Sequence, residues 1–97
     1  MATYISLLRF TEQGIRNIKE SGKRIDAARK AYQAAGAKLK EVYSVMGRYD
    51  IVVIAEAPDD ESAARLALAL GALGNIRTET MRAFTEDEYR KLIVSLP

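Results

Sequence analysis

The run Ile51-Val52-Val53-Ile54-Ala55 limits the fold more than any other stretch. It is dominated by β-branched residues and is apolar at both odd and even positions, so it has no polar face to give to water. A strand of that kind sits in the middle of a sheet, with a hydrogen-bonded neighbour on each edge and cover on each face. One neighbour is adjacent in sequence. From Lys38 to Met46 the chain alternates, with Leu39, Glu41, Tyr43 and Val45 on one face and Lys40, Val42, Ser44 and Met46 on the other, which predicts a strand paired with 51–55 as a hairpin. The turn is Gly47-Arg48-Tyr49-Asp50: Gly47 allows a positive φ, Asp50 caps the turn through its own backbone, and Tyr49 packs.

The other strands flank the hairpin at a distance. Tyr4 to Phe10 is too short and too apolar for a helix and predicts a first strand. Ile76 to Phe84 alternates weakly around Thr78, Thr80 and Arg82, as an edge strand does. Thr11 offers an N-cap to a short helix over Glu12 to Ile18, closed around Ser21-Gly22, and Ile25, Ala28, Ala31, Tyr32 and Ala35 then mark an amphipathic helix ended by Gly36. A second long helix opens at Pro58-Asp59-Asp60-Glu61 and stops at Gly74. Ala63, Leu66, Ala67, Leu70 and Leu73 cover the sheet, while Leu68, Ala69 and Ala72 need a second cover, from another subunit or from the C-terminal segment. Thr85 caps a terminal helix carrying Tyr89, Leu92 and Ile93.

Strand, helix, strand, strand, helix, strand is the split βαβ order, so the expected class is α+β: a ferredoxin-like βαββαβ domain over residues 1–97 with a four-stranded antiparallel sheet. The first and third strands take the centre. Helices cover one face only, and Leu8, Phe10, Val52, Ile54, Tyr4 and Tyr43 are too apolar to be left in water, whichever of the two faces each one joins. The expectation is a homodimer, or a higher oligomer, whose sheets pack face to face as a dimeric α/β barrel. A chain of 97 residues buries only about 60–65% of its unfolded surface, which also favours a partner copy.

Histidine and cysteine are both absent. That removes histidine-ligated haem, the usual structural zinc sites, disulfides, and nucleophiles that depend on either residue. Glycines form no phosphate-binding fingerprint, and Asp59-Asp60-Glu61 reads as helix capping, so neither a cofactor nor a metal is expected. The formal charge is only +2, which does not call for nucleic acid as a partner. No apolar run approaches the roughly 20 residues of a membrane span and no targeting segment is evident, so the expected location is the cytoplasm.

These residues resemble a known family. Gly47-Arg48-Tyr49-Asp50 followed by a β-branched strand is similar to the turn of the GYD domain family, small prokaryotic proteins without an established reaction. The likeness extends over Thr3 to Ile5, Phe10 to Gly14, Arg24, Glu56 to Asp60, Leu70-Gly71, Gly74-Asn75 and Arg82 to Thr85. It implies the dimeric α/β barrel. More distantly, Gly47 through Thr80 resembles the effector-binding domains of leucine-responsive regulators, which bind small molecules between subunits; no DNA-binding helix-turn-helix accompanies it here.

The candidate ligand-binding residues are Tyr4, Arg24, Tyr43, Tyr49, Asp50 and Arg82. Tyr4, Ser6, Tyr43, Glu41, Thr78, Thr80, Arg82, Asp50 and Glu56 are the polar groups on strands and at the hairpin, able to line an otherwise apolar pocket. The alternative is that Arg82 pairs with Glu79 or Glu41 along the sheet edge. Arg24 stands out in the basic N-terminal half, near a helix start where anions bind. The leading expectation is a homo-oligomeric sensor or carrier of a small ligand. The rivals are a cofactor-independent monooxygenase or isomerase using Tyr, Asp, Glu or Arg, and a purely structural assembly protein. A cavity lined by buried acids favours catalysis; one lined by apolar groups with an arginine favours binding.

Overall fold

A computed structural model describes residues 1–97. The elements run β1 (Ala2–Phe10), α1 (Glu12–Arg16), a 3-10 turn (Ile18–Glu20), α2 (Ser21–Ala34), β2 (Lys38–Ser44), β3 (Ile51–Ala57), α3 (Asp60–Ala72), β4 (Ile76–Ala83) and α4 (Glu86–Val94). The sheet is four-stranded and antiparallel in the order β2-β3-β1-β4, so the chain has the ferredoxin-like α+β fold with β1 and β3 at its centre. β3 is buried at every second residue and half-buried between, as its two-sided apolar run requires.

Two segments differ from the sequence reading. Ser21-Gly22 does not close the first helix; it opens α2, because the 3-10 turn makes the break upstream. In β2 the alternation breaks at Lys40, which is the extra residue of a bulge: Leu39 pairs with Ala55, but Glu41 already pairs with Ile54. Beyond the bulge every side chain changes face. Val42 therefore lies with Leu39 on the helix side, while Glu41 and Tyr43 turn to the other.

The sheet thus has two distinct faces. Tyr4, Ser6 and Leu8 of β1, Ile51, Val53, Ala55 and Ala57 of β3, and Leu39 of β2 are buried under α2 and α3. Two hydrophobic clusters form there, one around Tyr4, Ala57 and Leu66 and one around Leu8, Leu39 and Val53, with Tyr32 of α2 touching both. On the opposite face the cross-strand partners stack in rows: Met81, Ile5, Ile54 and Glu41, then Glu79, Leu7, Val52 and Tyr43. The four central residues of these rows are only half-buried, and no element of the chain covers them. The outward side of α3 is equally open, with Leu68 74% exposed. Leu73, expected against the sheet, is also exposed, because the helix ends at Ala72 and the chain turns away at Gly74, whose φ is 88°.

α4 does not supply the missing cover. It buries no residue, and Tyr89, Leu92 and Ile93 are 59%, 48% and 47% exposed. Its start is nevertheless fixed. Thr85 and Glu88 form a reciprocal capping box, Arg82 reaches Glu88 at 4.0 Å, and the Arg82 guanidinium lies 4.4 Å from the Phe84 ring centroid.

Candidate functional site

The helix layer does not fill the space above the sheet. Where α2 and α3 approach β1 and β4 their side chains are small: Ala27, Ala28 and Ala31 on one helix, Ala67 and Ala69 on the other. The floor includes Ala55, Ala57, Ser6, Thr78 and Thr80. Small residues on both sides leave a gap, and the result is a partly open cavity of about 400 Å³ in which 20 of the 26 lining residues are hydrophobic. That is within the size range of small-molecule sites, which are typically apolar with a few polar groups.

Its polar lining comes from Ser6, Thr78 and Thr80 on β1 and β4 and from Ser21, Arg24 and Asn75. The Tyr4 hydroxyl donates to Asp60 Oδ1 at 2.5 Å, tying the start of β1 to the first turn of α3. Tyr4 is only 5% exposed, and burial, together with the hydrogen bond to the Asp60 carboxylate and its charge, pushes its phenol up to about 12. The phenol is therefore protonated at neutral pH and its proton is held by Asp60. Ser6 and Thr80 share a 2.9 Å hydrogen bond across the β1–β4 ladder. No aspartate or glutamate lines the cavity. The three acids that open α3 point to three different partners: Asp59 caps the helix, accepting from the Ser62 amide, Asp60 holds Tyr4, and Glu61 pairs with Arg65.

The six sequence-predicted residues do not form one site. Tyr4 and Arg24 line the cavity, and Arg82 approaches Tyr4, its guanidinium 5.8 Å from the ring centroid. Arg24 is committed to backbone, donating to the carbonyls of Asn17 (2.9 Å) and Gly14 (3.2 Å). Tyr43 lies on the uncovered sheet face, where its hydroxyl donates to Glu41 and is held above its usual range by that bond. Tyr49 and Asp50 stand at the other end of β1. The Asp50 carboxylate does not cap its own turn; it accepts from the Phe10 amide at 2.9 Å, and the Asp50 amide donates to the Leu8 carbonyl, so the turn is sewn to β1. Nor does Arg82 pair along the edge: Glu79 accepts from Tyr49 and Glu41 from Tyr43, which leaves Arg82 to Glu88. Asp60, the acceptor for Tyr4, is not singled out by the sequence because a first-turn acid is fully accounted for by the helix dipole.

Two of the stretches that carry the family likeness meet in space. Thr11 donates from its amide to the Asn75 carbonyl (3.0 Å) and from its hydroxyl to the Gly74 carbonyl (2.5 Å), and the Gln13 side chain reaches Leu73 and Asn75. A model of the GYD domain matches residues 4–93. The chain belongs to the GYD domain family. A curated relative from Thermus thermophilus, the glutamine synthetase and cystathionine beta-lyase binding protein, is 31% identical over 84 residues, or 86% of this chain and 88% of that one. A crystal structure of a Thermus thermophilus protein superposes with a TM-score of 0.56 at 30% identity, covering 88% of this chain and 95% of that one. MtbAldR, a leucine-responsive-type regulator, shares the fold alone: TM-score 0.68 at 14% identity, over 88% of this chain and 52% of its own. No helix of this GYD protein is long and apolar enough to cross a membrane.

Proposed function

We propose that this GYD protein is a small-ligand-binding domain that works as a homodimer, holding an apolar molecule in the cavity between its helices and sheet. The cavity carries the proposal, because a core left open at about 400 Å³ in so small a chain loses packing that larger side chains would supply. An apolar guest restores those contacts. The polar edge at Ser6, Thr78 and Thr80 offers hydroxyls to orient one polar end of it. Catalysis is less well supported, since the lining holds no carboxylate and Tyr4 is neutral and engaged. The half-buried rows on the opposite face supply the dimer contact, which closes two sheets into a barrel.

Native mass spectrometry of protein purified from its own host tests both parts. The expected result is twice the 10.8 kDa chain mass plus a retained small molecule. Replacing Ile54 by Asp is expected to halve the mass. A bare monomer at micromolar concentration would contradict the proposal.

A second reading, that the chain docks on other proteins, is favoured by α4, which is capped and braced at its start yet offers its apolar residues to solvent. The name of the Thermus thermophilus relative supports it, since that protein is described as binding two enzymes.

A further inference from the structure

The GYD turn builds a second feature, on the face of the sheet opposite the cavity. In the β1–β4 ladder Arg9 and Arg77 are direct cross-strand partners. Like charges in that position repel, and none of the chain's six ion pairs includes Arg9, Arg77 or the neighbouring Arg48. Tyr49 organises the group. Its hydroxyl crosses to Glu79 of β4 at 2.9 Å, and the Arg9 and Arg48 guanidinium carbons lie 5.0 and 5.9 Å from its ring centroid. Asp50, bonded to Phe10 and Leu8, fixes the turn that places Tyr49. Between these side chains is a depression of about 170 Å³ bounded by Leu7, Arg9, Tyr49, Arg77, Thr78 and Glu79.

We propose that Arg9 and Arg77 form an oxyanion site that takes a carboxylate or phosphate group. Three arginines outnumber the two nearby carboxylates, Glu79 and Asp50, which already accept from Tyr49 and from the Phe10 amide, so the local balance is positive. Guanidinium groups bind such oxyanions bidentately, and stacking of Arg9 on Tyr49 reduces the freedom lost on binding. As cross-strand partners that bound one depression, Arg9 and Arg77 are a repulsive pair that an anion between them would make favourable. The anion is either a free molecule or a carboxylate of a second copy laid on this face.

The test is thermal unfolding of the whole chain and of Arg77→Gln in chloride and in inorganic phosphate at equal ionic strength, with light scattering in each buffer. A free-anion site predicts that phosphate raises the wild-type midpoint by roughly 7 °C at ten times the dissociation constant. The rise saturates, is lost in Arg77→Gln and leaves the mass unchanged; in chloride, Arg77→Gln matches or exceeds wild type because the repulsion is relieved. A second copy's carboxylate predicts instead that phosphate and Arg77→Gln each lower the mass. Arg77→Lys, which keeps the charge without the fork, is expected to retain less than half of either effect. The proposal is overturned if phosphate acts equally on wild type, Arg77→Gln and a distant Lys23→Gln control with no change in mass, and equally if the arginine side-chain N–H resonances of Arg9 and Arg77 do not move with phosphate.

Discussion

A Cβ placed on Gly14 would lie 2.0 Å from the Asn75 carbonyl oxygen, closer than any real contact allows. Glycine is thus needed where α1 meets the α3–β4 connection, and the Thr11, Gln13 and Arg24 hydrogen bonds converge on the same spot. Gly14→Ala must push the two segments apart. The expected loss is about 1–3 kcal/mol, measured by urea unfolding with the denaturant slope unchanged. Tyr4 makes a pH prediction. Its folded-state value of about 12 exceeds the ordinary 10, so the stability it contributes is complete below pH 10 and is lost as pH rises through 12. Absorbance titration of the phenolates should show a late component near 12 that disappears in Tyr4→Phe. The acid side runs the other way. Asp59 and Glu88, held below the usual carboxylate range chiefly by the Ser62 and Thr85 amides, keep their contribution above the ordinary range and lose it as pH falls through their lowered values.

Among the elements, β3 was readable from sequence because its apolar run permits only a central strand, and α3 because its capping acids and Gly74 mark both ends. The bulge at Lys40 was not, since one extra residue leaves the alternation of polar and apolar residues intact on paper while reversing the faces in space. The cavity was hidden for a related reason: alanines at helical spacing look like a packing face, and only the helix–sheet distance reveals that they do not fill it. The split of the six candidate residues follows from β1, whose two ends carry Tyr4 and the Asp50 contact respectively. α4 carries a prediction of its own. Leu92→Glu with Ile93→Glu removes its apolar surface without touching the capping box, so the proposed dimer and the melting midpoint should persist while any copurifying protein is lost. Unchanged copurification would remove α4 from the interaction.

For the whole molecule, the governing fact is how little of it is covered: twelve of 97 residues are buried. The chain leaves its sheet face, the outer side of α3 and α4 open, yet keeps a cavity where a filled core would add stability. The proposed face-to-face dimer would cover the sheet, and the proposed guest would fill the cavity. The most direct test is NMR of the side-chain methyl groups during titration with a small apolar probe such as indole. If the cavity takes the guest, Val53, Ala55, Ala67 and Leu70 shift together and saturably, while Leu68 and Ile54, which lie outside it, stay still. If all methyl groups drift in proportion to probe concentration, or if only the exposed ones move, the cavity is not a binding site.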